Sequence, residues 1–296
     1  MNLLQTIPAP EVSSITVGPF VVHFYALCIL AGIIAAVLIA DFRLKRRGVE
    51  SGKALDIAMW TVPIAIIGAR LFHVLTHPGD YFYEGADLVD VFKVWEGGIA
   101  IYGGLIGGAA GAWIGAKRAG VKFWSFADAV APGILLAQAI GRWGNYFNQE
   151  LFGTPTDLPW ALEISGANSA IPQGIPLGTT YHPTFLYESI WSLIGVALLF
   201  ALDRKYQLRW GKLFAIYVIY YSFGRIWTES IRIDPSEVVL GLRINVWSAI
   251  LGIAVGLAIW FIQSRRHPGI ETSAGLDSTN QKTLDERVYE VDSDSK

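Results

Sequence analysis

Seven stretches of mostly apolar residues recur along the chain, separated by shorter polar connections, and each approaches the roughly 20 residues needed to cross a bilayer's hydrocarbon core. They predict helices over residues 20–40, 55–75, 98–116, 127–142, 184–202, 213–231 and 244–262. The fourth is short, and the second and sixth carry charge. The expected fold is therefore an all-α integral membrane protein of seven transmembrane helices. One membrane domain occupies residues 1–263. After it comes a polar tail, 264–296, which ends in ERVYEVDSDSK and is too poor in apolar residues to bury a core of its own. That tail is expected to be disordered.

Composition supports a membrane location. Over the 296 residues, 53% are hydrophobic and 16% are charged, against about 25% charged in soluble domains. The net charge of −2 offers no basic excess for nucleic acid, and a single cysteine, Cys28, excludes a disulfide framework. Orientation follows from the basic residues, which concentrate on the inner side of a membrane. With the N-terminus outside, the inner loops hold Arg43, Lys45, Arg46, Arg47, Lys53, Lys117, Arg118, Lys122, Arg204, Lys205, Arg209, Lys212, Arg265 and Arg266. The outer segments hold only Lys93, Arg232 and Arg243. The bias predicts N-terminus outside, C-terminus and tail in the cytoplasm. The segment before the first span has no basic stretch of the kind that opens a cleaved signal peptide, so that span is expected to stay.

A charge within the bilayer costs at least about 2.5–3.5 kcal/mol at mid-depth, so each one needs an account. Arg70, Arg142 and Arg225 all fall in the outer part of their spans. His23, Tyr25, His73, Tyr102, His182, Tyr187 and Glu188 fall at the same level. Taken singly, such residues are interface anchors that reach toward water. Taken together, three internal arginines on one side and none on the other describe a site for an anion at the outer leaflet. Phosphate suits it, because a guanidinium presents a planar fork of donors that stays charged. In YSFGRIWTESIRID, Arg225, Glu229 and Arg232 are spaced to share one helical face. Glu229 can then neutralise Arg225 and also aim it.

Other patterns carry less chemistry. Gly103, Gly107 and Gly111 recur every fourth residue, as do Gly104 and Gly108, a spacing that lets helix backbones approach in lipid. RGVESGKA lacks the spacing and the following Ser or Thr of a phosphate loop, and there is neither a G-x-S-x-G elbow nor an H-E-x-x-H pair. Nothing in the sequence calls for a metal or a cofactor.

The fourth span runs into GRWGNYFNQELFG, residues 141–153. Arg142 there can hold a phosphate, and Asn145 and Asn148 can bond a polar headgroup or their own turn. Glu150 can be an acid, a base or an arginine partner, while Gly141, Gly144 and Gly153 allow close backbone approach. This stretch closely resembles the signature of the prolipoprotein diacylglyceryl transferase family. The resemblance extends through HFYALCILAG (23–32), WEGGIAIYGGLIGG (95–108), HPTFLYES (182–189) and GRIWTESIRID (224–234). It implies an enzyme of the bacterial plasma (inner) membrane whose active site faces the outer leaflet. The implied reaction moves the diacylglyceryl group of phosphatidylglycerol to the lipobox cysteine of a preprolipoprotein, forming a thioether and releasing glycerol 1-phosphate. It also implies that Arg142 and Arg225 hold the phosphate. Asn145, Glu150 and Gly153 match the signature, Tyr25 matches a functionally important tyrosine, and Glu229 matches the acid one turn beyond Arg225. His23 and Arg70 are added as substrate-binding candidates from their level in the spans.

One position departs from the family's pattern. Many members have histidine where this chain has Tyr102, and that histidine has been proposed as the base. A phenol with a reference pKa near 10 is a poor proton acceptor at neutral pH, which leaves Glu150, His23 or activation of the thiol by the electropositive site itself. Two other readings account for less. A lipid or solute transporter would spread polar residues along its path, whereas the inner halves of these spans are almost entirely apolar. A membrane scaffold leaves Arg142 and Arg225 unexplained.

Overall fold

A computed structural model describes residues 6–166, 168–269, 271 and 273–276. Seven helices carry the fold, one for each apolar stretch: α1 (Phe24–Lys45), α2 (Lys53–Thr76), α3 (Ile101–Arg118), α4 (Phe123–Phe147), α5 (Thr184–Tyr206), α6 (Lys212–Ile231) and α7 (Ile244–Arg266). Five of them, α1, α2, α4, α5 and α7, are long and apolar enough to cross a membrane. In α3 the glycines and the closing Lys117 and Arg118 dilute hydropathy, and in α6 the tyrosines and the Arg225 and Glu229 charges do so.

Two features differ from the expected pattern. Helix α4 does not stop at residue 142 but continues to Phe147. Nothing in GRWGNYF breaks a helix, and the turn comes only at Gln149, whose φ is 50°. The all-α expectation also omits three antiparallel hairpins. These pair β1 (Ser14–Val17) with β2 (Phe20–His23), β3 (Leu162–Glu163) with β4 (Thr180–Tyr181), and β5 (Val238–Val239) with β6 (Leu242–Arg243). β2 leads directly into α1, and β6 into α7, so the chain keeps its backbone groups paired as it enters each helix.

The chain divides into two compact units, residues 1–40 with 127–270, and residues 41–126 with 271–296. In the second, α2 and α3 lie so close that a Cβ on Gly107 would meet the Ile64 carbonyl oxygen at 2.5 Å. Close approach of this kind is what small residues at every fourth position provide in lipid. Beyond α7, Glu271 and residues 273–276 belong to this unit and join the turn that precedes α4. Leu276 N–H donates to the Gly120 carbonyl at 2.7 Å, and the Ser125 hydroxyl donates to the buried Glu271 carboxylate at 2.5 Å. The remaining residues of the expected disordered tail, 270, 272 and 277–296, lie outside the described residues.

The first unit holds α5, α6, α7 and the larger part of α4. Asp128, fully buried in α4, accepts the backbone N–H groups of Gly211 at 2.8 Å and Phe214 at 2.9 Å, and so caps the start of α6. Leu135, Leu199, Leu213 and Tyr217 form a core between these helices. At the other end, Phe152, Leu162, Tyr181 and Phe185 make a second core under the 148–183 connection. This cluster gathers the end of α4 and the start of α5 beneath a packed loop.

Candidate functional site

Arg142 lies near the end of α4, with Asn145 one turn on. Its Nη1 donates to Asn145 Oδ1 at 3.1 Å, and Asn145 Nδ2 donates to Glu150 Oε1 at 2.7 Å. The backbone closes the same link, since Glu150 N–H donates to the Asn145 carbonyl at 3.1 Å. The extra length of α4 creates this chain: because residues 142 and 145 are both helical, their side chains share a face.

The other end of the Arg142 guanidinium meets α5. Its Nη2 is 2.6 Å from Glu188 Oε2, and Arg225 Nη1, on α6, is 3.5 Å from that same oxygen. Two guanidiniums from different helices thus converge on one carboxylate oxygen. The Glu188 side chain is 7% exposed and each arginine 17%, so the charges face little water.

Glu229, fully buried one turn beyond Arg225, holds the other side of the cluster. Its Oε2 is 2.9 Å from Arg225 Nη2 and 3.6 Å from Arg232 Nη1. Its Oε1 is 2.9 Å from Arg243 Nε and accepts from Asn245 Nδ2 at 2.9 Å, which brings in the start of α7. Asp234 takes Arg232 through both oxygens, at 2.7 and 2.9 Å, and lies 3.3 Å from Arg243. Burial works against the Arg232 charge, but the Asp234 hydrogen bond and the Asp234 and Glu229 charges outweigh it and hold the guanidinium more firmly protonated than usual. Four arginines and three carboxylates therefore form one cluster, with Glu150 attached through Asn145.

The loop after α4 presents Glu150 under constraint. Gln149 and Leu151, on either side of it, have φ of 50° and 59°, in the left-handed region that non-glycine residues rarely adopt. Surrounding bonds hold them there. Gln149 accepts from Ser165 N–H at 2.7 Å and from Asn168 Nδ2 at 2.6 Å, and the Leu151 carbonyl accepts from the Thr184 hydroxyl. Local strain enforced by its surroundings is a mark of functional loops.

Gly153 follows, and the structure gives it a packing task. Its N–H donates to the His182 carbonyl at 3.0 Å, and a Cβ there would come 2.7 Å from His182 Cβ and 3.0 Å from the Ile231 carbonyl oxygen. It lets the loop pass between the start of α5 and the end of α6.

Tyr25, in the first turn of α1, packs against Gly144, where a Cβ would lie 2.7 Å from the tyrosine ring. His23, at the end of β2, is exposed and lines a cavity of about 570 Å³ together with Asn148, Gln149 and Glu150. Glu150 thus belongs both to the arginine chain and to the cavity wall.

Arg70 and Tyr102 belong to the other unit. Arg70 is buried and gives its donors to backbone carbonyls: Nε to Val91 at 2.8 Å, Nη1 to Gly97 at 2.6 Å and to Gly98 at 2.9 Å, and Nη2 to Asp90. It also lies over the Tyr81 ring at 4.8 Å. Four of the five N–H donors a guanidinium offers are thus committed to the connection between α2 and α3. Tyr102 is half-exposed in the first turn of α3, its ring 6.3 Å from that of Phe72.

Five residues of the arginine cluster and its partners were not among the sequence-derived site residues: Glu188, Arg232, Asp234, Arg243 and Asn245. Glu188 was placed at the level of the intramembrane arginines but given no role of its own, and Arg232 was read only as sharing a helical face with Arg225 and Glu229. Arg243 was counted as a loop charge, although a basic residue two positions before an asparagine at the mouth of an apolar span was an available signal.

Comparison with known proteins shows the family. A model of the prolipoprotein diacylglyceryl transferase family matches residues 12–262. A phosphatidylglycerol–prolipoprotein diacylglyceryl transferase of Leifsonia xyli subsp. xyli is 52% identical over 273 residues, covering 89% of this chain and 82% of its own. The Streptomyces coelicolor protein named phosphatidylglycerol–prolipoprotein diacylglyceryl transferase 1 is 50% identical over 270 residues, 90% of this chain and 77% of its own. The Frankia alni relative of the same name is 48% identical over 264 residues, 89% and 69%. With nearly the whole apolar part of the chain matched at this level, the chain belongs to the prolipoprotein diacylglyceryl transferase family.

Proposed function

We propose that this chain transfers the diacylglyceryl group of phosphatidylglycerol to the lipobox cysteine of bacterial preprolipoproteins, the reaction for which its family and relatives are named. The observation that carries the reading is the convergence of Arg142 and Arg225 on a single carboxylate oxygen, a position fit for a phosphate oxygen.

The chemistry is displacement at carbon. The cysteine sulfur attacks the glyceryl carbon that bears the phosphate, a sulfur–carbon bond forms, and the carbon–oxygen bond to phosphorus breaks. The bonding pair leaves on oxygen as glycerol 1-phosphate, and the thiol proton passes to a base and then to solvent or to the departing phosphate. Charge on the phosphate rises from one to two negative units as the bond breaks. Arginines positioned before the reaction therefore stabilise the transition state more than the ground state. In this reading Arg142 and Arg225 hold the phosphate, and Asn145 and Glu229 orient them. Glu150 or His23, on the wall of the polar cavity, receives the thiol proton, and Tyr25 with Gly144 shapes the approach. Gly153 acts by setting the loop, and no cofactor takes part.

The wider reading is a seven-span domain over residues 1–263 in the bacterial plasma (inner) membrane. Its N-terminus and active site face outward, and residues 264–296 form a cytoplasmic tail. The asymmetry of lysine and arginine supports it, and so does the position of Arg142, Arg225 and Glu150 at the helix ends that this orientation places outside. The test is mass spectrometry of a synthetic lipobox peptide incubated with purified protein and phosphatidylglycerol in detergent. A diacylglyceryl increment on the cysteine is expected, and it should be lost with Arg142→Ala. Folded wild-type protein that gives no increment would overturn the reading.

A further inference from the structure

Resting on that reading, we infer that Glu188 is a resident counter-ion for the phosphate site: between turnovers its carboxylate occupies the place of a phosphate oxygen, and its return to Arg142 and Arg225 helps expel glycerol phosphate.

The geometry separates fixed partners from an exchangeable one. Each guanidinium is gripped at one end by a residue of its own helix. Arg142 Nη1 donates to Asn145 at 3.1 Å, and Arg225 Nη2 donates to Glu229 at 2.9 Å. At the other end, both reach for the same atom, Glu188 Oε2, at 2.6 and 3.5 Å. Removing the Glu188 contact therefore leaves both arginines held in place. Glu229 is different, since both of its oxygens are engaged, by Arg225 and Arg232 on one side and by Arg243 and Asn245 on the other. It is built in, whereas Glu188 is shared at a single point.

Charge makes the exchange useful. With Glu188 in place, the four arginines and three carboxylates of the cluster carry a net charge of +1, which under-matches the dianion that leaves. Once the binding phosphodiester has displaced the carboxylate, the charges left around it amount to about +2, ready for the phosphate as it approaches −2. After the reaction the carboxylate competes with the product for the same donors. Glu188 sits in the second turn of α5, close to the positive end of that helix dipole, where a displaced anion is better tolerated. It acts through the arginines, as a positioning residue.

The test compares wild type with Glu188→Gln and Glu188→Asp in the peptide assay, reading kcat, KM for phosphatidylglycerol and inhibition by glycerol 1-phosphate. With the competing charge removed, Glu188→Gln is expected to bind glycerol 1-phosphate about tenfold more tightly, with kcat and KM falling together. Glu188→Asp, which keeps the charge on a shorter arm, should fall between. A merely structural carboxylate would behave differently, with KM raised or unchanged and product inhibition no tighter in either variant, and that result overturns the inference. The Asp variant carries the same test if the Gln variant does not fold. No transfer by wild type overturns the transferase reading itself, whereas transfer with unaltered product inhibition in the variants overturns only the role of Glu188.

Discussion

Glu229 is the residue on which most charges of the cluster converge. A buried carboxylate facing three guanidiniums is costly to desolvate, but removing it leaves those charges facing one another, and breaking a buried pair typically costs about 3–5 kcal/mol. Glu229→Ala should therefore lower thermal stability in detergent markedly as well as abolish transfer. Arg142→Ala removes a partly exposed guanidinium from the edge of the cluster, so it should lose transfer with a smaller fall in melting temperature. Tyr102 tests a different point. As the phenol is a poor base, Tyr102→Phe is expected to retain near-normal turnover in the peptide assay, and a large loss would restore the hydroxyl to an essential proton transfer. Arg142, Arg225 and Glu229 were legible as residues because intramembrane charge is expensive and therefore conspicuous, and Asn145 and Glu150 because they stand in the signature stretch. Their partners were not, because Arg142, Glu188 and Arg225 lie on three helices and the sequence carries no measure of distance between them.

At the scale of the helix, the α2 and α3 pair makes a sharp contrast. A Cβ on Gly107 would lie 2.5 Å from the Ile64 carbonyl oxygen, while one on Gly108 would lie 3.6 Å from the Ala65 methyl, an ordinary contact. Gly107→Ala should force the helices apart and cost about 1–3 kcal/mol, as overpacking does, whereas Gly108→Ala should leave unfolding in detergent nearly unchanged. The four-residue spacing marked both glycines as packing positions. Which of the two rows touches backbone depends on how α3 is turned against α2. Helix α4 teaches a related lesson: an apolar count ended it at residue 142, but a helix carries polar residues wherever its side chains find partners, and the five further residues supply the Arg142 to Asn145 bond.

For the whole molecule, the distribution of lysine and arginine is the basis for orientation. Cys28 is the sole cysteine, so its replacement by serine gives a background in which single cysteines report topology. A cysteine at Asp157, in the loop between α4 and α5, should react in intact cells with a membrane-impermeant maleimide, and one at Gln207, between α5 and α6, should react only after lysis. The reverse pattern would invert the proposed orientation.

The number and approximate limits of the helices, and membership of the family, were determined by the sequence alone, because hydrophobic runs and signature motifs are local and survive without coordinates. The task of each arginine was decided only by the tertiary structure. Arg70, Arg142 and Arg225 look alike as charges in outer half-spans, and a guanidinium's role depends on which acceptors surround it. Arg70 meets the carbonyls of Asp90, Val91, Gly97 and Gly98 and holds a loop. Arg142 and Arg225 meet one carboxylate oxygen between them, and that shared acceptor is the observation on which the proposed phosphate site rests.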